Sequence, residues 1–478
     1  MRILLKCPTR SRPQKVIQTL ASYMKLANNT KDIGVAVSCD DNDLSMLRNL
    51  VQEEVVRTLL PAGWSKLFFS PNKNKIEACN ANMDEIDWKW DIVVLVSDDM
   101  IPQLKGWDDA IRTHMIARFP DTNGILWFND GHQGDKLNTL CIYGRAMYES
   151  FGYIYHPDYK SLFCDTELTD LCKGELASKC LYIPYCIIRH EHPGTGYAQN
   201  MDALYDRNQK YWNEDMYTYI RRKQYEYDWS VLIPTIPGRE TKLRALTASI
   251  REKVKRICPD LRLEFCLSFD NRETSVGLKR QYLLNQAKGK YLSFIDDDDT
   301  ITDAYVEDLW ACIQGGYPTM RLRGQMKEYT FTHSVSIKLG DRMATKDDPP
   351  VFQRPPNHLN PMFSDIAKLI PFKNAVHGED LDWTIALLKS NFLEVEYSSD
   401  PSRVHYNYDL GTREVGLNIA VQQQNMTYEE MLKMVFTPAG EPIPPGTVSL
   451  GGMTFGKIAL QNQRDSTLRL GPRGFVSK

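Results

Sequence analysis

Apolar and polar positions along this chain fall into blocks that occur twice in the same order. The apolar run Ile3–Cys7 predicts a buried strand. Val16, Ile17, Leu20 and Met24 then recur at helical spacing within residues 14–26. A second run, Ile33–Ser38, ends in Cys39-Asp40-Asp41, a helical stretch covers 44–60, and the run Ile92–Val96 delivers Asp98 and Asp99. From Asp228 the order repeats. Val231–Ile233 predicts a strand, and Leu243, Leu246, Ile250, Val254 and Ile257 mark one face of a helix. Leu261–Phe269 ends in Asp270, residues 278–287 read as helix, and Tyr291–Ile295 delivers Asp296 to Asp299. Alternation of this kind predicts an α/β class: two Rossmann-like domains with mostly parallel sheets.

The boundaries expected from the pattern are 1–227, 228–410 and a C-terminal extension, 411–478. The segment 205–227, with Arg207, Arg221, Arg222 and Lys223, reads as a closing helix and joint carrying a basic-aromatic patch. In the extension, Thr427-Tyr428-Glu429-Glu430 is a capping box, and 438–452 is rich in Pro and Gly. A length of 478 residues fits two cores better than one, and 42% apolar with 25% charged residues is a globular composition. The net charge of −3 gives no global reason to expect nucleic acid. Eleven cysteines, an odd number without C-x-x-C spacing, suggest a reduced, cytoplasmic protein rather than a disulfide or zinc scaffold. No apolar run approaches the ~18 residues of a membrane span, and no signal peptide is expected.

Ligands of open α/β sheets bind at the carboxyl ends of the strands. Pro8-Thr9-Arg10 and Pro234-Thr235 end the first strand of each half, Asp40 and Asp270 the second, and Asp98 and Asp298 the acid-tipped one. A later acid and a histidine follow in each half: Asp165 with His190, and Asp380 with His405, both 25 residues apart. Neighbouring carboxylates with an imidazole suit Mg²⁺ or Mn²⁺, which would neutralise a diphosphate leaving group. Asp165 and Asp380 would then be free to take a proton from an attacking hydroxyl.

Ile295-Asp296-Asp297-Asp298-Asp299, Gly378-Glu379-Asp380-Leu381-Asp382-Trp383 and Val404-His405 resemble the motifs of family 2-like glycosyltransferases of the GT-A fold. The resemblance covers nearly all of residues 230–410. Gly277-Leu278-Lys279-Arg280 resembles that family's nucleotide-contacting stretch, and His358-Leu359-Asn360-Pro361 resembles phage- and virus-encoded members. The resemblance implies that Asp296 and Asp298 form a D-x-D pair, that Asp298 and His405 hold the metal, and that Asp380 is the base of an inverting transfer. Asp297 and Arg239 join the expected nucleotide site. Aligning Asp98-Asp99 on Asp298-Asp299 puts Val96 where Asp296 stands, leaving Asp40 or Asp99 to supply the missing oxygen. The first-half metal histidine is His190 by spacing, with His192 an equal chemical candidate. Gly124–Gly131 also resembles phage-type enzymes and is expected to line the sugar site.

The function this implies is a tandem glycosyltransferase using a sugar nucleotide, most readily a UDP-sugar, with Mn²⁺ or Mg²⁺. Its acceptor would carry a free hydroxyl, with hydroxymethylated pyrimidines of phage DNA in the host cytoplasm as one possibility. The alternative is a polysaccharide, lipopolysaccharide or protein-linked acceptor, with only the second domain active and the first binding acceptor. A nucleotidyltransferase or phosphoesterase would need more metal-binding carboxylates, and a pure binding module would show no sugar-nucleotide hydrolysis with Mn²⁺.

Overall fold

The structure is a computed structural model describing residues 1–193, 197, 202–338, 340–347 and 350–409. The extension, with its capping box and Pro/Gly tract, lies outside the described residues. The described chain divides into two compact units, the first ending at Arg222 and the second beginning at Lys223. Each is α/β with a mostly parallel sheet, the class expected.

The first unit runs β1 (Ile3–Thr9), α1 (Pro13–Leu26), β2 (Ile33–Asp40), α2 (Asn49–Leu59), β3 (Trp64–Ser70), α3 (Lys75–Asn80) and β4 (Ile92–Leu95). It continues through β5 (Met100–Pro102), α4 (Trp107–Arg118), β6 (Ile125–Phe128), β7 (Ile142–Gly144), α5 (Arg145–Phe151), α6 (Cys164–Lys173), β8 (Cys180–Ile183), β9 (Ile188–His190), α7 (Ala203–Gln209) and α8 (Trp212–Arg222). Seven strands form one sheet in the order β3-β2-β1-β4-β7-β6-β8, with β7 antiparallel to both neighbours. Alternate residues of β1 point to opposite faces, as a strand's period of two requires. Ile3, Leu5 and Cys7 pack with Val16, Leu20 and Met24 of α1, while Leu4 packs with Ile76 and Cys79 of α3. Apolar cores therefore lie on both faces, which explains why β1 reads as a continuous apolar run. Lys6 is the exception: it is fully buried, and its ammonium bonds Ser38 Oγ and the Ala78 carbonyl. All eleven cysteines are free. Among the described residues no helix is long and apolar enough to cross a membrane.

The second unit runs β10 (Tyr227–Thr235), α9 (Glu240–Ile257), β11 (Leu263–Phe269), α10 (Val276–Gln286), β12 (Gly289–Phe294), β13 (Thr300–Ile301) and α11 (Asp303–Gly315). Then come β14 (Leu322–Met326), β15 (Tyr329–His333), β16 (Val351–Arg354), β17 (Met362–Phe363), α12 (Ser364–Lys368), α13 (Glu379–Ser390) and β18 (Tyr406–Asn407). Its nucleotide-side sheet is β11-β10-β12-β17, and a second sheet is β13-β18-β14-β15-β16. Of the helical face predicted on α9, Leu246, Ile250 and Val254 are buried.

Backbone hydrogen bonds fix which residues correspond between the units. Val96 donates to Lys6 O at 2.9 Å, and Ile295 donates to Leu232 O at 3.1 Å. The turn beyond each strand closes from Met100 N to Ser97 O and from Asp299 N to Asp296 O, both at 3.1 Å. Ser97 therefore matches Asp296, Asp98 matches Asp297, and Asp99 matches Asp298. The alignment expected from sequence was one residue out: Val96 corresponds to Ile295, not to Asp296.

The returning strands correct the histidines in the same way. Ile101 pairs with Arg189 and Thr300 with Asn407, so His190 corresponds to Tyr408. Gln103 N donates to Ile187 O at 2.8 Å, and Thr302 N donates to His405 O at 2.9 Å. His405 thus occupies the place of Ile187. The equal spacing of 25 residues does not reflect an equal position.

Candidate active site

Eight residues proposed for the first unit line one cavity of about 210 Å³: Pro8, Thr9, Arg10, Asp40, Asp98, Asp165, His190 and His192. The strands place them there. β1 ends at Thr9, β2 at Asp40, and the turn after β4 carries Asp98 and Asp99, so three strand ends converge on one edge. The pairing of β5 with β9 brings His190 opposite Met100, beside Asp99. Asp165 sits at the head of α6, where acids meet the positive end of the helix dipole.

The two acids of the strand end have different partners. Asp98 accepts from Arg12 Nη1 at 2.8 Å, and Arg12 also grips Asp202 at 2.7 Å. Burial outweighs that cation and pushes the Asp98 carboxyl up to about 6. Asp99 accepts from Ser97 and Tyr205 hydroxyls, and its Oδ2 faces His190 Nε2 at 3.6 Å. Burial works to raise Asp99, yet His190 holds it well below the usual carboxylate range. Burial works to lower His190, and Asp99 raises it on balance. His192, whose ring centre lies 5.4 Å from that of His190, is lowered to about 4 by burial and by its neighbour. Asp99, rather than Asp98, is the acid that meets the histidine.

Asp40 accepts from Arg10 and from Asn72 Nδ2 at 3.2 Å. Burial raises the Asp165 carboxyl from its ordinary value, with Lys75 opposing. Thr9 Oγ1 and Ser161 Oγ line the cavity, are buried and have no hydrogen-bond partner. Buried polar atoms are nearly always bonded, so these two hydroxyls point to a ligand that bonds them.

In the second unit, Pro234 and Thr235 end β10, and Thr235 Oγ1 donates to Asp297 at 2.6 Å. Arg239 Nη1 contacts Asp297 at 2.6 Å and Asp298 at 3.0 Å. Lys279 is buried against Asp270. Arg280 reaches Glu379 at 3.3 Å and Asp296 at 3.4 Å, while its Nη1 is buried without a partner. Asp380 heads α13 after Gly378, as Asp165 heads α6 after Phe163. In both helices the threonine four residues on, Thr169 or Thr384, bonds the acid's carbonyl. His405 is not available as a metal ligand in this arrangement. It is fully buried, its Nε2 lies 2.8 Å from Asp308, and its Nδ1 accepts from Arg323 N at 3.0 Å.

Other expectations find structural roles. Trp383 is core: it stacks on Phe372 and donates to Ile370 O at 2.7 Å. Gly124–Gly131 does not line the cavity; it forms β6 and a turn whose Asp130 carbonyl receives the His190 amide at 3.1 Å. In His358–Pro361, the His358 carbonyl bonds Phe294 N and Asn360 braces the Met320 carbonyl. Within the basic patch, Arg222 pairs with Glu167 and Lys223 with Asp365 at 2.8 Å, while Arg207 lines the first unit's cavity and bonds the Lys73 carbonyl at 3.0 Å. Sequence reasoning missed Arg12, Lys75, Asp99 as the histidine's partner, and Tyr205. Arg12-Pro13 at a helix start was a signal for the first, since Pro favours that position.

Among the described residues no group of three or more His, Cys, Asp or Glu forms a closed metal site. Asp99 and His190 are two ligands of suitable chemistry, and the remaining positions of a hard cation would fall to water and phosphate oxygens.

No family model matches this chain, and no curated protein matches it. Among solved structures it is similar to a mannosyltransferase, PcManGT from Pyrobaculum calidifontis, in complex with GDP-Man and Mn²⁺. The identity is 14% and the TM-score 0.36, over 47% of this chain and 65% of that one. It is also similar to residues 1–349 of S. aureus TarS in complex with UDP-GlcNAc, at 16% identity, TM-score 0.27, and 39% and 60% coverage. A cytidylyltransferase from Leptospira borgpetersenii serovar Hardjo-bovis matches at 12% identity and TM-score 0.26, over 38% of this chain and 75% of that one.

Proposed function

We propose that this chain is a nucleotide-sugar-dependent glycosyltransferase whose first unit holds a complete transfer site. The observation that carries the reading is the Asp99–His190 pair at 3.6 Å, set in the same cavity as Asp40 and Asp165. Asp40 and Arg10 lie where a nucleoside would bind, at the second strand end. Asp99 and His190 would hold Mn²⁺ or Mg²⁺, and Thr9 Oγ1 and Ser161 Oγ would bond the donor. A cation held there supplies neutralisation of the diphosphate leaving group. Arg12, fixed on Asp98 and Asp202, adds positive charge at the same edge. Asp165 accepts the proton of the acceptor hydroxyl as it attacks the sugar's anomeric carbon, giving an inverting transfer. Burial raises its pKa, the direction that strengthens it as a proton acceptor.

In the second unit, Asp380 would be the corresponding base, with Asp270, Lys279, Arg280, Asp296 and Asp297 on the nucleotide side. The first unit's cavity favours it as the active partner over the reading in which only the second unit works. A UDP-sugar is the first donor to try. The acceptor is a hydroxyl compound, with glycans and hydroxymethylated DNA bases as the two classes to compare. The test is a panel of sugar nucleotides with Mn²⁺, read by mass spectrometry for hydrolysis and for transfer to each class. Hydrolysis of one donor, abolished by Asp165→Asn, is expected. A panel in which no donor is consumed overturns the reading.

A further inference from the structure

We propose that the two units differ in their use of a divalent cation: the first takes one ion on Asp99 and His190, and the second takes none. The hydrogen-bond register carries this. Asp99 corresponds to Asp298, and the residue that faces it in the first unit, His190, corresponds to Tyr408 in the second. Tyr408 follows the Thr300–Asn407 pair and precedes Asp409, whose amide donates to Asp299 at 2.7 Å, so the position is occupied by a phenol rather than an imidazole. A phenol lacks the neutral nitrogen lone pair that makes histidine the commonest metal ligand.

No other histidine of the second unit repairs the loss. His405 is held by Asp308 and the Arg323 amide. His333 is buried 3.0 Å from Asn360 Oδ1, His358 is buried beside the Phe294 ring, and His377 is exposed on the loop before α13. Residues 410–478 contain no histidine.

The second unit also places its cation differently: Lys75, which bears on Asp165 and Asp99 in the first unit, corresponds to Val276, while an arginine enters one turn further on. The N-cap residues Asn74 and Ser275 bond the same position in α3 and α10, Glu77 N and Leu278 N, so Cys79 corresponds to Arg280. Ser97 corresponds to Asp296. A neutral pair, Ser97 and Cys79, thus becomes an ion pair, Asp296 and Arg280, in the unit that loses the histidine. Arg239 and Arg12 are the shared element: each is the N-cap residue of its helix and each binds its unit's middle acid. The second unit therefore has two guanidinium groups at its acids, and Arg280 Nη1 is buried with no partner. A guanidinium with a spare donor suits a phosphate oxygen directly.

The test is an ion count on the full chain by electron paramagnetic resonance of Mn²⁺, with and without UDP. The inference builds on the sugar-nucleotide reading only through the added UDP, and the count requires no transfer, so the two can fail separately. One ion per chain is expected. It should be lost in Asp99→Asn and in His190→Ala, and kept in Asp298→Asn. Tyr408→His should raise the count to two. Two ions in the unaltered chain, none at all, or an ion that survives His190→Ala and disappears with Asp298→Asn would each overturn the inference. Melting curves of the variants separate loss of the ion from loss of the fold.

Discussion

His405 in the second unit stands where Ile187 stands in the first, each receiving the corresponding backbone N–H, from Thr302 at 2.9 Å and from Gln103 at 2.8 Å. A core position has been filled by an imidazole, and Asp308 at 2.8 Å satisfies it. His405→Ala should therefore cost stability, about 2–4 kcal/mol, by leaving Asp308 short of a partner in the interior. Burial lowers the His405 pKa, so the folded form keeps the ring neutral below the ordinary value of about 6.5. The native state then binds fewer protons than the unfolded chain, and this group's contribution is lost as pH falls through the lowered pKa. Urea midpoints of the parent and the variant between pH 7 and 5 should converge as pH falls.

In the proposed transfer, Asp165 is the group that takes the acceptor's proton in the first unit. Asp165→Asn should lower turnover by about 10²–10⁴-fold with little change in donor binding. Because burial raises its pKa, the acidic limb of the rate profile should lie above the ordinary aspartate value. A profile of kcat/KM against pH, free of any limb in that region, would remove Asp165 from the role.

The helices that carry Asp165 and Asp380 begin at left-handed residues, Phe163 at φ 61° and Gly378 at φ 78°. A Cβ on Gly378 would meet no atom within 4 Å, so Gly378→Ala is a test of conformation alone. It should cost about 1 kcal/mol, read as a drop in melting temperature. Phe163→Gly relieves the same strain but removes ring contacts with Trp212 at 5.1 Å and Tyr219 at 5.9 Å. The first unit should therefore gain nothing from that change.

Lys6 is lowered to about 8 by burial. Between pH 8 and its unfolded value near 10.4 the native state sheds a proton that the unfolded chain retains, so stability from this group rises with pH. Lys6→Met removes that slope. At pH 7 the change should be small, under about 1 kcal/mol, because losing a buried charge offsets losing the bond to Ala78 O. Denaturation at pH 7 and pH 10 checks both statements.

Much of the fold was legible because β2, β4 and β12 are apolar runs that lead into acid, and β1 and β10 are apolar runs that close on Pro-Thr. That pattern follows from strands buried on both faces whose ends open on a site. The register was not legible. Counting acids aligned Asp98 on Asp298, whereas the turns that close on Ser97 and Asp296 set a different correspondence. The histidines misled for a related reason. His190 is the last residue of β9, whereas His405 precedes β18, and only strand pairing distinguishes them. Arg12 and Tyr205 reach Asp98 and Asp99 from 86 and 106 residues away, contacts that no local pattern encodes.

The most direct test of the central claim is donor hydrolysis by the full chain with Mn²⁺, comparing Asp99→Asn with Asp298→Asn for the donor found in the sugar-nucleotide panel. The account predicts that Asp99→Asn abolishes hydrolysis in the first unit and leaves only what Asp380→Asn removes. Unchanged hydrolysis in Asp99→Asn, with complete loss in Asp298→Asn, would contradict it.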